Sequence, residues 1–104
     1  MSLLTKKQRL AAYKILRAKL EERRVSGDGA FMCPFLIRAI ASVAPEVSLE
    51  EIENLWVGDP NIVEEIFPEM KEIKPATCDR IGYWPYHQLL PRIAAADKMI
   101  RLCR

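Results

Sequence analysis

The sequence predicts an all-α fold: a small bundle of four to five helices, with an irregular proline-rich segment before the last helix. Apolar residues recur at helical spacing in several stretches, and N-capping motifs precede most of them. No stretch alternates apolar and polar residues over a useful length, as a half-buried strand would. The chain has 104 residues, half of them apolar, which is enough for one modest core. We therefore expect residues 1–104 to form a single helical domain.

The first predicted helix begins after Thr5, which with Gln8 has the pattern of a capping box. An apolar stripe follows at helical spacing, formed by Leu10, Tyr13, Leu16 and Leu20. The opposite face carries Lys7, Lys14, Arg17 and Glu21. The helix is predicted to reach about Arg24, because Gly27 and Gly29 interrupt the pattern.

The second predicted helix begins near Phe31 or Cys33 and ends before Pro45. It is apolar almost all round, so it is expected to be the central buried helix. Arg38 is a lone charge within it. That side chain is expected to emerge at the wet edge of the helix, pair with an acid from 46–72, or line a ligand pocket.

Two short helices are predicted next. Ser48 opens the first with a second capping box, and Gly58 ends it. Asp59 and Pro60 begin the second, which Pro68 closes. Residues 67–86 contain three prolines and are expected to be irregular, with a weak signal for a strand pair at 71–73 and 82–84.

The last predicted helix runs from His87 to Leu102, with Pro91 in its first turn. Its core face is expected to comprise Leu90, Ile93, Ala94 and Ile100.

The charges are unevenly distributed along the chain, although the net charge is only +2. Residues 5–24 carry eight Lys and Arg against two acids, and residues 46–72 hold nine of the fourteen acids. The two segments are expected to pair within one fold, and the alternative is that they stack head to tail between subunits. The small total argues against nucleic-acid binding, for which domains are usually much more basic.

Several short motifs occur in order in the second half of the chain. They are Phe67-Pro68-Glu69, Lys74-Pro75, Tyr83-Trp84-Pro85, Pro91-Arg92-Ile93 and Met99-Ile100. In this order and spacing the chain resembles a group of small proteins encoded by tailed bacteriophages and prophages, over most of its length from Gly29. The resemblance implies a phage or prophage gene and implies no particular activity.

The residue types that carry catalysis or bind metals form no recognisable motif. Cys33, Cys78 and Cys103 are odd in number and lack CxxC spacing, so neither a disulfide framework nor a zinc site is predicted. His87 is the only histidine and has no partner in a catalytic pattern. We therefore predict no metal, no cofactor and no enzymatic activity.

A candidate ligand site lies near the start of the last helix. Arg80, Tyr83, Trp84, Tyr86, His87 and Arg92 fall within thirteen residues, and Arg38 is a further candidate. Aromatic faces with guanidinium groups suit a nucleotide, by stacking on the base and pairing with the phosphate. The alternative is that Tyr83 and Trp84 clamp the irregular segment onto the core while Arg92 binds loop carbonyls.

The leading functional hypothesis is a non-enzymatic binding protein that blocks or sequesters a component of host defence. Its partner would be a small nucleotide bound in a homo-oligomer, or a host protein bound through the acidic helices. The alternatives are a self-associating virion or packaging component, and a weak nucleic-acid binder that uses the basic residues of the first helix: Lys6, Lys7, Lys14, Arg17, Arg23 and Arg24. No signal peptide and no membrane-spanning run is apparent, so we expect the cytoplasm, that of the host cell if a phage encodes the chain.

Overall fold

Three helices and a two-residue strand pair are present in the part of the chain that the computed structural model describes, residues 4–48, 50, 65–69, 83–84 and 89–104. Helix α1 spans Lys6–Ser26, α2 spans Met32–Val43 and α3 spans Leu89–Leu102. The mostly helical fold predicted from the sequence is confirmed. The two short helices predicted between Ser48 and Pro68 fall largely outside the described residues.

Helix α1 has well-defined caps at both ends. The Thr5 side chain accepts a hydrogen bond from the Gln8 backbone N–H (3.1 Å), and the Gln8 side chain accepts one from the Thr5 N–H (2.9 Å). The predicted capping box is therefore confirmed. At the other end, Gly27 has φ +76° and donates its N–H to the carbonyls of Arg23 and Arg24. This left-handed conformation is one that glycine adopts without steric cost.

Helices α2 and α3 both run antiparallel to α1. The Gln8 side chain reaches the Val43 carbonyl at 3.5 Å, and the Arg23 guanidinium lies 5.7 Å from the centre of the Phe35 ring. The start of α1 is thus beside the end of α2. On α3, Arg17 pairs with Asp97 at 2.8 Å, and the C-terminal Cys103 approaches the first half of α1 through Glu69.

Helix α1 is the central helix of the described part of the chain, because it packs against both α2 and α3. The expectation that α2 would be central is wrong. Its side chains Arg38, Ala41 and Ser42 are exposed, and small residues such as alanine can face water at little cost. Among the described side chains of α2, Phe35, Ala39 and Ile40 are buried.

The buried core joins all three helices to the segment 65–69. The face predicted for α3 is confirmed for Ile93 and Ile100, which are buried, and is wrong for Leu90 and Ala94, which are exposed. The buried apolar side chains include Ala12, Tyr13, Leu16 and Leu20 of α1, Phe35, Ala39 and Ile40 of α2, Ile66 and Phe67, and Leu89, Ile93, Ala96, Met99 and Ile100 of α3.

A short antiparallel ribbon connects the starts of α2 and α3. Strand β1 is Ala30–Phe31 and strand β2 is Tyr83–Trp84, with Ala30 opposite Trp84 and Phe31 opposite Tyr83. The sequence signalled a strand at 82–84, and β2 falls there and pairs with the residues just before α2. The partner predicted at 71–73 lies outside the described residues. The ribbon lies at the end of the molecule where α1 ends. No described helix is both long and apolar enough to cross a bilayer.

Candidate functional site

The residues predicted to bind a ligand are only partly described. Tyr83 and Trp84 form β2, and Arg92 lies half-buried in the first turns of α3. Arg80, Tyr86 and His87 lie outside the described residues. The topology therefore places β2, β1 and the start of α3 at one end of the molecule, which we call the ribbon end.

Arg38 lies on α2, about two turns along the helix from β1. Its side chain is exposed, as one of the three sequence interpretations expected. Within the described ranges no ion pair joins it to an acid. The exposure of Arg38 agrees with the wet-edge interpretation, while most acids of 46–72 lie outside the described residues.

The ribbon end also exposes two large apolar side chains. Val25, in the last turn of α1, is 73% exposed, and Leu90, in the first turn of α3, is 60% exposed. Because α1 and α3 are antiparallel, both residues lie toward this end. Exposed apolar side chains are candidates for contact with a partner when they lie on a shared surface.

A second, unpredicted constellation surrounds the carboxylate of Glu69. The Arg9 guanidinium donates two hydrogen bonds to it, from Nε to Oε1 at 2.8 Å and from Nη2 to Oε2 at 3.1 Å. Tyr13 donates its hydroxyl to Oε1 at 2.7 Å, and the Cys103 thiol is near enough to lower the pKa of this carboxyl group. The remaining Arg9 donor, Nη1, binds the Leu4 carbonyl at 2.8 Å. We call Arg9, Tyr13, Glu69 and Cys103 the Glu69 cluster.

The Glu69 cluster is held among apolar groups. The side chains of Arg9 and Glu69 are only 12% and 13% exposed, and the neighbouring Phe67 is fully buried. The Phe67 and Tyr13 rings are 5.5 Å apart between centroids and inclined at 48°, an arrangement common for aromatic pairs. Segment 65–69 is thereby fixed to α1 by both a polar and an aromatic contact.

Each titratable group of the cluster keeps its ordinary protonation state at neutral pH. Burial acts to raise the pKa of Glu69, but hydrogen bonds from Arg9, Tyr13 and Cys103 outweigh it and lower that pKa overall. Burial and the hydrogen bond to Glu69 raise the pKa of Tyr13 and raise the pKa of Cys103 to about 11. The carboxylate is therefore ionised, while the phenol and thiol remain protonated. A protonated thiol is a poor nucleophile, so the cluster is suited to holding the fold together.

The sequence carried only an indirect signal for this cluster. Arg9 and Tyr13 are four residues apart and so share one side of α1, and Glu69 belongs to the acidic segment expected to pair with the basic helix. The prediction that the two segments pair within one fold is confirmed for Arg9 and Glu69. The sequence could not indicate which acid would be chosen, because the partners are 60 positions apart.

Comparison with protein-family models, curated proteins and solved structures finds no match to this chain. Among the described residues, no three His, Cys, Asp or Glu side chains are grouped as a metal ion would require.

Proposed function

We propose that this chain is a small, non-enzymatic, phage-type binding protein that attaches to a host-cell protein, such as a component of host defence, and blocks it. The ribbon end is the proposed contact surface. The observation that carries the proposal is the exposure of Leu90 and Val25 at this end, beside the strand that contains Tyr83 and Trp84.

The chemistry of the Glu69 cluster supports a binding role. Its ionised carboxylate is already engaged by Arg9 and Tyr13, and the pKa of about 11 keeps the Cys103 thiol protonated. These groups stabilise the fold, so the interactions left for a partner are those of the exposed surface. The small-nucleotide version of the proposal would place the ligand at the same end, with Arg92 as its described contact.

The self-association alternative required the basic helix and the acidic segment to meet between subunits. Arg9 and Glu69 meet within one chain instead. This pair therefore favours a role that does not require the basic helix of one copy to attract the acidic segment of another.

The test is capture of host proteins by the immobilised chain, compared across matched variants. We expect a host protein to be retained by the wild type and lost with Leu90→Asp. Leu102→Asp is the control, because Leu102 is also exposed (39%) but lies at the opposite end of α3. Circular dichroism should show both variants folded. Equal capture by Leu90→Asp and the wild type would contradict the proposed surface.

Native mass spectrometry tests whether the ligand is a small nucleotide and not a host protein. Incubation with a panel of nucleotides should add one ligand mass to the wild type and none to Arg92→Gln. If no nucleotide binds and no host protein is retained, the binding-protein proposal is wrong.

A further inference from the structure

Five exposed cations lie toward the end of the molecule opposite the ribbon. They are Lys6, Lys7 and Lys14 of α1, together with Arg101 and Arg104 at the end of α3. No ion pair connects any of them to an acid in the described part of the chain. We call these five residues the basic face.

The register between α1 and α3 places these residues on one surface. The Arg17–Asp97 pair fixes the two helices relative to each other. Lys14 lies one turn before Arg17, and Arg101 lies one turn after Asp97, so both are about 5–6 Å along the axis from that pair in the same direction. Their positions around the two helices place Lys14 and Arg101 on the solvent-facing side of the contact between α1 and α3. Cys103 and Tyr13 lie on its other side, against Glu69.

The remaining members extend this surface toward the start of α1. Lys7 lies two turns before Lys14 on the same side of the helix, and Lys6 and Arg104 lie at the adjoining helix ends. Along the helix axis the five residues therefore span about 12 Å, from Lys14 to Lys6.

The other cations of α1 are neutralised by acids. Arg9 pairs with Glu69, and Arg17 pairs with Asp97. The remaining cations of α1 form the ion pairs Lys19–Glu22, Arg23–Asp28 and Arg24–Glu21. Of the six basic residues considered from the sequence for nucleic-acid binding, Lys6, Lys7 and Lys14 form no ion pair with an acid of the described ranges. The small net charge thus conceals a local excess of positive charge.

We propose that the basic face binds the phosphate backbone of nucleic acid without sequence specificity. A single strand of B-form DNA carries one charge per about 3.4 Å, so about 12 Å corresponds to three or four phosphates. The first turn of α1 contains no acid, so no acidic side chain of that turn offsets the charges of Lys6 and Lys7.

The composition of the surface favours nucleic acid over an acidic protein. Three of the five residues are lysines, which are depleted at protein–protein interfaces but make non-specific phosphate contacts. This surface is distinct from the ribbon end, and the inference does not depend on the proposed function.

The experiment is a fluorescence-anisotropy titration of a short labelled DNA duplex with the full chain. Three to four phosphate contacts give a slope of about −3 for log K against log salt, so affinity should fall roughly a hundredfold between about 50 mM and about 200 mM salt. Lys7→Gln, Lys14→Gln and Arg101→Gln should each weaken binding and reduce the slope by about 1. These residues are exposed, so the variants are expected to fold.

Lys19→Gln is the matched control, because Lys19 is an exposed lysine of the same helix that is paired with Glu22. It should leave the affinity and the salt slope unchanged. The proposal is overturned if the duplex does not bind at low salt, or if Lys19→Gln weakens binding as much as Lys14→Gln. Binding to vesicles containing phosphatidylserine without binding to the duplex would instead assign the face to anionic lipid and would also overturn it.

Discussion

At the residue scale, Glu69 makes the most specific contacts of the described chain. Its carboxylate accepts two hydrogen bonds from Arg9 and one from Tyr13, with the Cys103 thiol close by. The pairing is bidentate and largely shielded from water, two conditions under which a charge pair matters more than it does on the surface. Arg9 also binds the Leu4 carbonyl, so one guanidinium connects the chain before α1 to segment 65–69.

Glu69→Gln should lower the free energy of unfolding by about 2–3 kcal/mol, because it leaves the shielded Arg9 charge without its counter-ion. Urea unfolding at neutral pH measures the effect. Asp97→Asn is the matched control, since it breaks the Arg17 pair, whose side chains are both 40% exposed, and should cost less than about 1 kcal/mol. Equal costs for the two variants would show that shielding does not strengthen the Glu69 pair.

The sequence could not identify this cluster because its partners meet only after the chain has folded. Capping and helical periodicity are local properties, and they correctly predicted the side of α1 that carries Tyr13. The choice of Glu69 among nine acids in residues 46–72 depends on where the segment after Ile66 returns to α1. Burial of Phe67 against Tyr13 fixes that position. The spacing of residues in the sequence does not predict this contact.

At the element scale, the helix ends follow from residues near them in the sequence. The predicted α1 reached about Arg24 and the observed helix reaches Ser26, with Gly27 closing it. The second and last helices begin within a few residues of their predicted starts. Which face of α3 is buried was less predictable. Ile93 and Ile100 are buried as predicted, but Leu89, Ala96 and Met99 complete the buried face in place of Leu90 and Ala94.

Gly27→Ala should destabilise the chain by about 1 kcal/mol, because an L-residue rarely adopts φ +76°. A Cβ at this position would meet no atom within 4 Å, so the cost is conformational and not a steric clash. Gly27→Asn is the comparison, since asparagine tolerates the left-handed region better. Thermal unfolding followed by circular dichroism should rank the wild type above Asn and Asn above Ala. An alanine variant as stable as the wild type would contradict this account of the cap.

At the scale of the whole molecule, α1 connects the other elements. It packs against α2 and α3, and the Glu69 cluster adds segment 65–69 to the same helix. The resulting core is shared, so loss of the Glu69 contacts should weaken the folded chain as a unit. The two surfaces available for partners, the ribbon end and the basic face, lie at opposite ends of this arrangement.

Stability should therefore decrease in acid through Glu69. The pKa of Glu69 is lowered in the folded state from its ordinary value of 4.5, so the unfolded chain takes up this proton first as the pH falls. The stabilisation is fully present above about pH 4.5 and is lost as the pH falls through the lowered pKa. Urea unfolding across this range should show the wild type and Glu69→Gln converging in stability. A difference between them that stays constant with pH would exclude Glu69 as the responsible group.

The contact between Arg9 and Glu69 also bears on how long the folded chain persists. The two residues are 60 positions apart, whereas α1 forms through local contacts, so the ion pair is expected to form after the folding transition state. Glu69→Gln should then accelerate unfolding and leave the folding rate nearly unchanged in stopped-flow experiments. Resistance to proteolysis under conditions in which cleavage outpaces refolding would depend on this pair. Glu69 would then set the lifetime of the native state as well as its equilibrium population.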